Sequence, residues 1–446
     1  NGQTCLVLCV QTQLPPPAPS DDLSSLSELT EAGLLYEVQK RFGNDQIYTY
    51  VGDILLAVNP FKELQIYSAQ VSRLYAEGEG RRSHPSLPPH VFACAERAIQ
   101  AAHHDQSPLT FILSGESGSG KTTACRHILQ HLLTRAEGSS ATHLESTFKH
   151  VNCILKVFGE VPNSTNSTSS CFSAFLELLL RRSDSKVIGG RLTTYLLERS
   201  RVLASEGQPT FPIFSLLSAT EGLEKLDMRN QGNSENCWSS QASHAGLADV
   251  VISLRALGLS AEDESSLLSL LRGIWLLTKI RFQNVEPPET SRVSSPQLLE
   301  QAALLVPSAH LESALTTDVT CSTGDKAYRR VQAQTATTWR DQLACSLYAR
   351  TFGLLIQLAN LALRSLSSPD SYTIIGVLDV PGLSEVQDNG YEQLCTRLLT
   401  ERLGEFGLRQ LFHGTDKDVE ARDGVGLTMA TLPGDSSVPN AILQVI

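Results

Sequence analysis

A glycine-rich stretch, FILSGESGSGKTTACRHI at residues 111–128, contains an unbroken G-x-x-x-x-G-K-[ST] pattern. In such a loop the glycines let backbone N–H groups turn inward around phosphate oxygens, and the helix that follows adds a favourable dipole. Lys121 would then reach the β- and γ-phosphates of a nucleotide, and Thr122 would hold Mg²⁺. The pattern alone also fits a glycine-rich strand-to-helix turn with an exposed lysine.

The segments on either side of this loop decide between the two interpretations. Residues 109–115, LTFILSG, are a short apolar run bounded by glycine, as expected of a strand buried on both faces of a sheet. Residues 121–133, KTTACRHILQHLL, have helical periodicity. A strand before the loop and a helix after it favour phosphate binding.

Other segments predict a mixed α/β body around the loop. Helical spacing of apolar residues marks residues 24–42 and 91–104. Residues 47–61, IYTYVGDILLAVNPF, are rich in β-branched and aromatic residues and end in Asn-Pro, which predicts a strand pair running into a turn. Residues 1–20 are predicted to be a Pro-rich linker or a cut N-terminal segment, so that structure begins near Asp21.

Composition excludes several classes of protein. The 446 residues carry 47 acidic against 36 basic side chains, a net charge of −11, which argues against a generic nucleic-acid binder. No apolar run approaches the ~20 residues of a membrane span. The ten cysteines form no C-x-x-C pairs and have no histidines at ligand spacing, which argues against a zinc site or a disulfide framework. The length predicts two domains or one large fold with subdomains.

Several motifs in order resemble the myosin motor domain, and more narrowly the class XVI unconventional myosins, from about Asp21 to the early 400s. DQIYTYVGDILLAVNPFKELQIYS is similar to the segment leading to the family's adenine-binding loop, and SGESGSGKTTACRHIL to its phosphate loop. YLLERSRVLASEGQPTFPIFSLLSA resembles the run after switch I, and RDQLACSLYARTFGLLIQLANLAL the long helix before switch II. The resemblance implies a P-loop NTPase-type α/β head with a twisted, mostly parallel central sheet and surrounding helices.

The resemblance also implies which residues hold Mg·ATP. Thr122 and Ser170 match the Mg²⁺ ligands of the family. The nucleotide contacts come from the segment before the phosphate loop, from the loop itself and from switch I, namely Asn59, Pro60, Tyr67, Gly115, Glu116, Ser117, Gly118, Ser119, Gly120, Lys121, Thr122, Thr123 and Asn166. Switch I (residues 166–174) and switch II (residues 379–384) are expected to converge on Lys121, at the carboxyl end of a strand of the sheet.

Both switches depart from the family pattern. Myosins carry N-x-N-S-S-R-F-G-K in switch I, and the counterpart here is NSTSSCFSA, which keeps Asn166, Ser169, Ser170 and Phe172 but has Thr168, Cys171, Ser173 and Ala174 at the remaining positions. Switch II is D-I-x-G-F-E in the family and DVPGLS here, with Asp379 and Gly382 kept and with Leu383 and Ser384 in place of Phe and Glu.

The two losses form a pair. In the family the switch I Arg and the switch II Glu make an ion pair that closes the site behind the γ-phosphate and helps to orient water. Cys171 and Ser384 remove both partners, which strands no buried charge and is therefore tolerable for folding. Glu385 could replace the missing acid, but it lies one position further on an extended segment and Cys171 offers it no cation.

The resemblance implies that the remaining catalytic set is weakened. Ser169 matches the serine that contacts water, Ser170 the Mg²⁺ ligand, Asp379 the carboxylate behind the metal, and Gly382 the backbone N–H that meets the γ-phosphate. Phosphoryl transfer depends on positioning and charge stabilisation, so a loosened closed state slows the reaction directly. We therefore predict a myosin-type ATPase in which nucleotide binding survives and hydrolysis is weak or absent.

Residues 21–446 are predicted to be a partial motor domain that lacks the converter, the lever and much of the lower actin-binding subdomain. The first function class is the ATP-binding portion of an actin-based motor, and the alternative is a nucleotide-binding actin tether or scaffold without productive ATPase. A third class is a P-loop ATPase or kinase outside the myosins. The first two imply actin filaments as partner and a cytoplasmic, cytoskeletal location. Bound light chains, a nucleic-acid partner and a membrane span are not expected.

Overall fold

The computed structural model describes residues 21–52, 54–78, 87–105, 108–134, 139–162, 166, 168–203, 209–221, 246–285, 290–305, 310–322, 325–364, 372–382 and 390–422. The predicted linker at residues 1–20 lies outside these ranges. Two compact units are present, Asn1–Thr400 and Glu401–Ile446. Among the described helices, none combines the length and apolarity that crossing a membrane requires.

The described helices alternate with short and long strands. The helices are α1 (Glu31–Gly43), α2 (Ala69–Gly78), α3 (Val91–Asp105), α4 (Lys121–Leu133), α5 (Ser139–Gly159), α6 (Pro212–Glu221), α7 (Leu247–Ala256), α8 (Ala261–Lys279), α9 (Pro296–Leu305), α10 (Leu311–Thr316), α11 (Ala333–Leu363) and α12 (Tyr391–Arg422). The strands are β1 (Tyr48–Val51), β2 (Ile54–Ala57), β3 (Leu109–Leu113), β4 (Glu160–Val161), β5 (Ser169–Ser170), β6 (Ser173–Arg181), β7 (Val187–Tyr195), β8 (Phe282–Val285), β9 (Thr290–Val293), β10 (Thr317–Ser322), β11 (Asp325–Arg330) and β12 (Tyr372–Asp379). The predicted α/β body is confirmed.

Local sequence sets the ends of these elements. Helix α1 begins at Glu31 rather than near Ser24, because the Thr30 side chain caps it by accepting from the backbone N–H of Gly33 at 3.1 Å. The predicted strand pair at residues 47–61 forms the antiparallel hairpin of β1 and β2. Helix α3 follows the predicted range closely.

Four strands form the central sheet in the order β3, β12, β6, β7. Strand β12 pairs parallel with β3 and antiparallel with β6, and β6 pairs antiparallel with β7. The prediction of a mostly parallel sheet is therefore wrong for the described strands. Only a few residues join β6 to β7, which permits a hairpin, whereas a parallel pair needs a crossover of a dozen or more residues.

This topology brings three segments to one edge of the sheet. Asp379, at the carboxyl end of β12, pairs with Leu113 at the carboxyl end of β3. Because β6 runs the other way, its second residue, Ala174, also pairs with Asp379. The glycine-rich loop after β3, the segment before β6 and the segment after β12 therefore start from neighbouring positions.

A continuous hydrophobic core supports the sheet. Ile375 and Val377 of β12 are completely buried, as is Leu178 of β6. Helix α11 packs along β7 and carries Tyr348, whose hydroxyl donates to the carbonyl of Phe158 at 2.7 Å. The core thus fixes α5 and the central sheet relative to each other in the first unit. In the second unit, α12 continues to Arg422.

Candidate nucleotide-binding site

The glycine-rich loop, residues 114–120, connects β3 to α4 as predicted. Gly118 has a φ of 82°, in the left-handed region that disfavours side chains, and a Cβ there would clash with the amide of Asn166. Gly382, after β12, approaches the loop so closely that a Cβ would clash with the backbone of Ser117. Glycine at these two positions lets both switches lie against the loop.

Lys121 is the first residue of α4 and folds over the loop. Its ammonium Nζ donates to the carbonyl oxygens of Gly115 and Glu116, each at 2.7 Å. Burial lowers the pKa of Lys121, while the charges of Asp379 and Glu116 raise it. Phosphate oxygens would compete with these carbonyls for the ammonium, which places the cation where the β- and γ-phosphates are expected.

Three oxygen groups meet beside Lys121. The hydroxyl of Thr122 donates to Oδ2 of Asp379 at 2.7 Å, and the hydroxyls of Thr122 and Ser170 are 3.3 Å apart. Burial raises the pKa of Asp379, whereas the Thr122 hydrogen bond and the charges of Lys121 and Arg126 lower it. Two hydroxyls and a carboxylate are hard oxygen ligands of the kind that Mg²⁺ prefers.

These oxygens fit a Mg²⁺ that shares its ligands with a nucleotide. Among the residues that the structure describes, no cluster of three or more His, Cys, Asp and Glu could hold a metal ion. Mg²⁺ typically binds through one or two protein groups together with substrate phosphates and water. Thr122 and Ser170 would hold the ion directly, with Asp379 behind Thr122, and the ion would neutralise charge on the phosphates.

Switch I lies across the loop. The hairpin of β4 and β5 pairs Glu160 with Ser170. The Asn166 side chain donates to the hydroxyl of Ser117 at 3.2 Å, and that hydroxyl is 3.4 Å from the Ser169 hydroxyl. From the other side Asn59 donates its amide to the carbonyl of Gly118 at 2.6 Å. The predicted convergence of both switches on the loop is therefore present.

A cavity of about 240 Å³ opens between these segments. Of the predicted site residues, those that line it are Asn59, Ser117, Gly118, Gly120, Lys121, Thr122, Thr123, Asn166, Ser169, Ser170 and Gly382. Pro60, Tyr67, Gly115, Glu116, Ser119 and Asp379 are not part of its lining. The Tyr67 ring instead stacks on His127 with centroids 3.5 Å apart, and its hydroxyl shares a hydrogen bond of 2.8 Å with Tyr48.

Sequence reasoning missed an ion pair in the cavity wall. Arg126 donates to Oε1 of Glu160 at 3.0 Å and to the side-chain oxygen of Asn152 at 3.1 Å. Burial raises the pKa of Glu160, and the charges of Arg126 and Lys156 lower it. Helical spacing could have indicated Arg126, because it lies four residues after Thr122 and therefore on the same face of α4. Phe61, Thr168, Val380 and Pro381 also line the cavity.

Cys171 stands where the family carries arginine, and it is almost completely buried. Its backbone N–H donates to the carbonyl of Gly159 at 2.9 Å. Burial, and secondarily the charge of Glu198, raises the pKa of the thiol, so Cys171 is a neutral group. Leu383, Ser384 and Glu385 lie outside the described residues.

A second, water-sized cavity of about 20 Å³ lies on the far side of switch I. Ser169, Ser170 and Gly382 contribute to both cavities, so the small one adjoins the place where the γ-phosphate is expected. The residues that line only the small cavity are Val161, Pro162, Cys171, Glu198 and Arg201.

Comparisons with known proteins match nearly the whole chain. The family model for the myosin head (motor domain) matches residues 20–429. Myosin-IIIb of Mus musculus is 32% identical over 418 residues, which are 88% of this chain and 31% of that protein. Myosin-IIIa of Homo sapiens is 30% identical over 433 residues, 90% of this chain and 26% of that protein. Myosin IB heavy chain of Dictyostelium discoideum is 30% identical over 431 residues, 91% of this chain and 38% of that protein.

The chain therefore spans between about a quarter and two fifths of the length of these relatives. By name the three relatives are class III and class I myosins. They support the predicted family and do not support the finer prediction of class XVI.

Proposed function

Because the chain belongs to the myosin head (motor domain) family, we propose that it binds Mg·ATP as the nucleotide-binding part of an actin-based motor. The observation that carries this proposal is the approach of Thr122 to both switches, at 2.7 Å from Asp379 and 3.3 Å from Ser170, beside the ammonium of Lys121. These groups come from three distant segments and supply a cation and hard oxygens at one cavity.

Each group has a definite task in this proposal. Lys121 binds the β- and γ-phosphates, and Thr122 and Ser170 orient Mg²⁺. The backbone N–H of Gly382 faces the γ-phosphate, and Ser169 holds the attacking water. When bound, Mg²⁺ would neutralise charge on the phosphate oxygens. The protein's own part is therefore positioning and charge stabilisation.

We propose that hydrolysis is slow. The neutral, buried Cys171 supplies no cation for the pair that closes the family's site, and Ser384 supplies no carboxylate. A site that binds the ground state but closes less firmly around the transition state lowers kcat. The nucleotide-binding tether or scaffold, without productive ATPase, is the second candidate, and it rests on these two departures.

The wider assignments complete the proposal. Residues 21–446 are proposed to be part of a myosin motor domain. Actin filaments are the proposed partner and the cytoplasmic cytoskeleton the proposed location. Class XVI remains a proposal that rests on the motif resemblance, and the class III and class I relatives do not support it.

Substitution of Lys121 tests nucleotide binding. Lys121→Ala removes the cation that the loop places at the phosphates, so Mg·ATP affinity should fall below detection in equilibrium dialysis. Lys149→Ala, on an exposed face of α5, is the matched control and should bind as the unmodified chain does. Circular dichroism establishes that both variants are folded. An unchanged affinity in the Lys121 variant would contradict the proposal.

A further inference from the structure

A short turn, residues 198–202, lies between β7 and α6 in the chain and touches switch I. It contains the 3-10 helix Arg199–Val202. The backbone N–H of Glu198 donates to the carbonyl of Cys171 at 2.7 Å. The turn therefore holds the backbone at the very position where the family's switch I arginine is missing.

The same turn also holds the start of α12, the helix that follows switch II. Ser200 donates its hydroxyl to Oε2 of Glu392 at 2.5 Å, and its backbone N–H to the same oxygen at 3.3 Å. Arg199 lies 3.6 Å from the other oxygen of Glu392, and Gln393 donates to the Glu198 carboxylate at 3.5 Å. One turn thus contacts switch I through its backbone and the start of α12 through side chains.

Arg201 brings a cation to this corner. Its Nε donates to Oε2 of Glu198 at 3.0 Å, and its side chain is 20% exposed. It lines the water-sized cavity together with Cys171 and Gly382. A guanidinium is therefore present beside the cavity although position 171 supplies none, and Glu198 balances its charge.

We infer that the turn at residues 198–202 takes over the coupling of the two switches in this chain, with Glu198, Ser200 and Arg201 as positioning residues. The inference rests on the proposed nucleotide binding and deepens it. A closed site needs Ser169 of switch I and Gly382 of switch II to be held together. The family uses a direct ion pair between the switches, whereas here the turn bonds switch I and the start of α12 and lines the small cavity beside Gly382.

The partial burial of this network sets the size of the change that we expect in closed-state affinity. Hydrogen bonds to charged groups contribute more than neutral ones, and the bond from Ser200 to Glu392 is the short contact on the switch II side. Its loss should loosen the closed arrangement without touching any group that contacts ground-state nucleotide. An effect of about tenfold on closed-state affinity is expected, which corresponds to 1.4 kcal/mol.

The test compares two ligands on the 446-residue chain. MgADP reports ground-state binding, and MgADP with vanadate mimics the transition state and needs the closed site. Ser200→Ala should leave MgADP affinity within about twofold and weaken the vanadate complex about tenfold. Ser200→Thr keeps the hydroxyl and should retain the vanadate affinity. Arg201→Met should behave as Ser200→Ala does.

A control ion pair and the possible outcomes complete the design. Arg255→Met removes an ion pair of 2.6 Å with Glu264, between α7 and α8, and should change neither affinity. If the unmodified chain does not bind MgADP, the proposed function fails and the inference with it. If MgADP binds but Ser200→Ala leaves the vanadate complex unchanged, the inference alone is wrong. Ser200 is exposed, so its substitution remains informative where Arg201→Met does not fold.

Discussion

At the scale of single residues, two arginines outside the glycine-rich loop place charge beside the site. Arg126 pairs with Glu160 in the wall of the larger cavity, and Arg201 pairs with Glu198 beside the smaller one. Each carboxylate is nearly buried, so each arginine offsets a desolvated negative charge. Arg126 and Glu160 are 34 positions apart and meet only through the fold, whereas Glu198 and Arg201 are three residues apart, a spacing that local sequence could have shown.

Restoring the family's ion pair should restore hydrolysis only when both halves are present. Cys171→Arg or Ser384→Glu alone introduces an uncompensated charge, and an arginine at 171 also enters the small cavity that Arg201 lines. The double substitution should raise the single-turnover rate about tenfold beyond the combined single effects. Thr168, Ser173 and Ala174 stay altered, so full family activity is not expected.

Two results would contradict this prediction. Rapid hydrolysis by the unmodified protein would show that the missing pair does not limit the reaction. Independent effects of the two substitutions would show that they do not form a pair. Tryptic resistance of each variant provides the folding control.

Arg126→Met should destabilise the fold by leaving Glu160 without its cation. The Arg126 side chain is 35% exposed, so screening reduces the effect, and we expect a loss of about 1–2 kcal/mol in urea unfolding without nucleotide. Adding Glu160→Gln to this variant should recover part of the lost free energy of unfolding. Arg181→Met breaks the more exposed pair with Asp184 and should cost less than about 0.5 kcal/mol. Equal losses of unfolding free energy in the Arg126 and Arg181 variants would refute the prediction.

At the scale of elements, α2, α3 and α4 meet around buried polar groups. His131 of α4 forms hydrogen bonds with Ser72 of α2, at 2.7 Å, and with Glu96 of α3, at 2.9 Å. Beside them His90 lies 5.0 Å from the Tyr48 ring and 4.9 Å from the Tyr75 ring. These contacts tie the helix of the phosphate loop to the elements that precede it.

Acid should destabilise this group of helices through His90. Burial first, and then electrostatic interaction with His131 and His127, lowers the pKa of His90 from 6.5 to about 3. Between these two values the unfolded chain binds a proton that the folded chain does not. Stability therefore falls as the pH decreases through this window, by up to about 1.4 kcal/mol per pH unit.

His90→Asn should flatten this dependence. Asparagine keeps an acceptor for the Phe92 backbone N–H, which His90 Nδ1 receives at 3.1 Å, but does not titrate. The loss of stability between pH 6 and pH 4 in urea unfolding should shrink by roughly 1–2 kcal/mol. His310→Asn, at an exposed histidine, should leave the dependence of stability on pH unchanged. An unaltered slope in the His90 variant would refute the assignment.

The elements that sequence predicted well are those governed by local pattern. The strand, loop and helix around Lys121 follow from apolar runs, glycines and helical spacing, and all three are present. The antiparallel pairing of β6 and β7 depends on the length of their connection. The expectation of a mostly parallel sheet came from the family resemblance and did not consider this length. Tyr67 was assigned by motif, whereas its stacking on His127 depends on how α4 packs.

At the scale of the whole molecule, ligand binding is linked to the stability of the fold. The segments that follow β3 and β12 and the segment that precedes β6 contribute to one cavity. A nucleotide that binds there therefore stabilises the sheet as a unit. A ligand that binds only the folded state stabilises it by RT ln(1 + [L]/Kd), about 2.7 kcal/mol at a hundredfold excess over Kd.

Mg·ADP should therefore raise the Tm of the chain. At a hundredfold excess over Kd the increase should be roughly 5 °C in differential scanning fluorimetry. EDTA should reduce the shift, because Thr122 and Ser170 then lack the ion that links them to the phosphates. Lys121→Ala should abolish it, and Lys149→Ala should retain it. A full shift in the Lys121 variant would show that the nucleotide binds elsewhere.

The hydrogen bond from Thr122 to Asp379 joins residues that are 257 positions apart. Strand β3 therefore leaves the ribosome long before β12, its parallel neighbour, has been made. At a synthesis rate of roughly 5–20 residues per second, that interval is roughly 13 to 50 s. For this time the apolar strand that carries the phosphate loop has no partner from β12, and the nucleotide cannot help it fold. The site therefore cannot be complete until synthesis has passed Gly382.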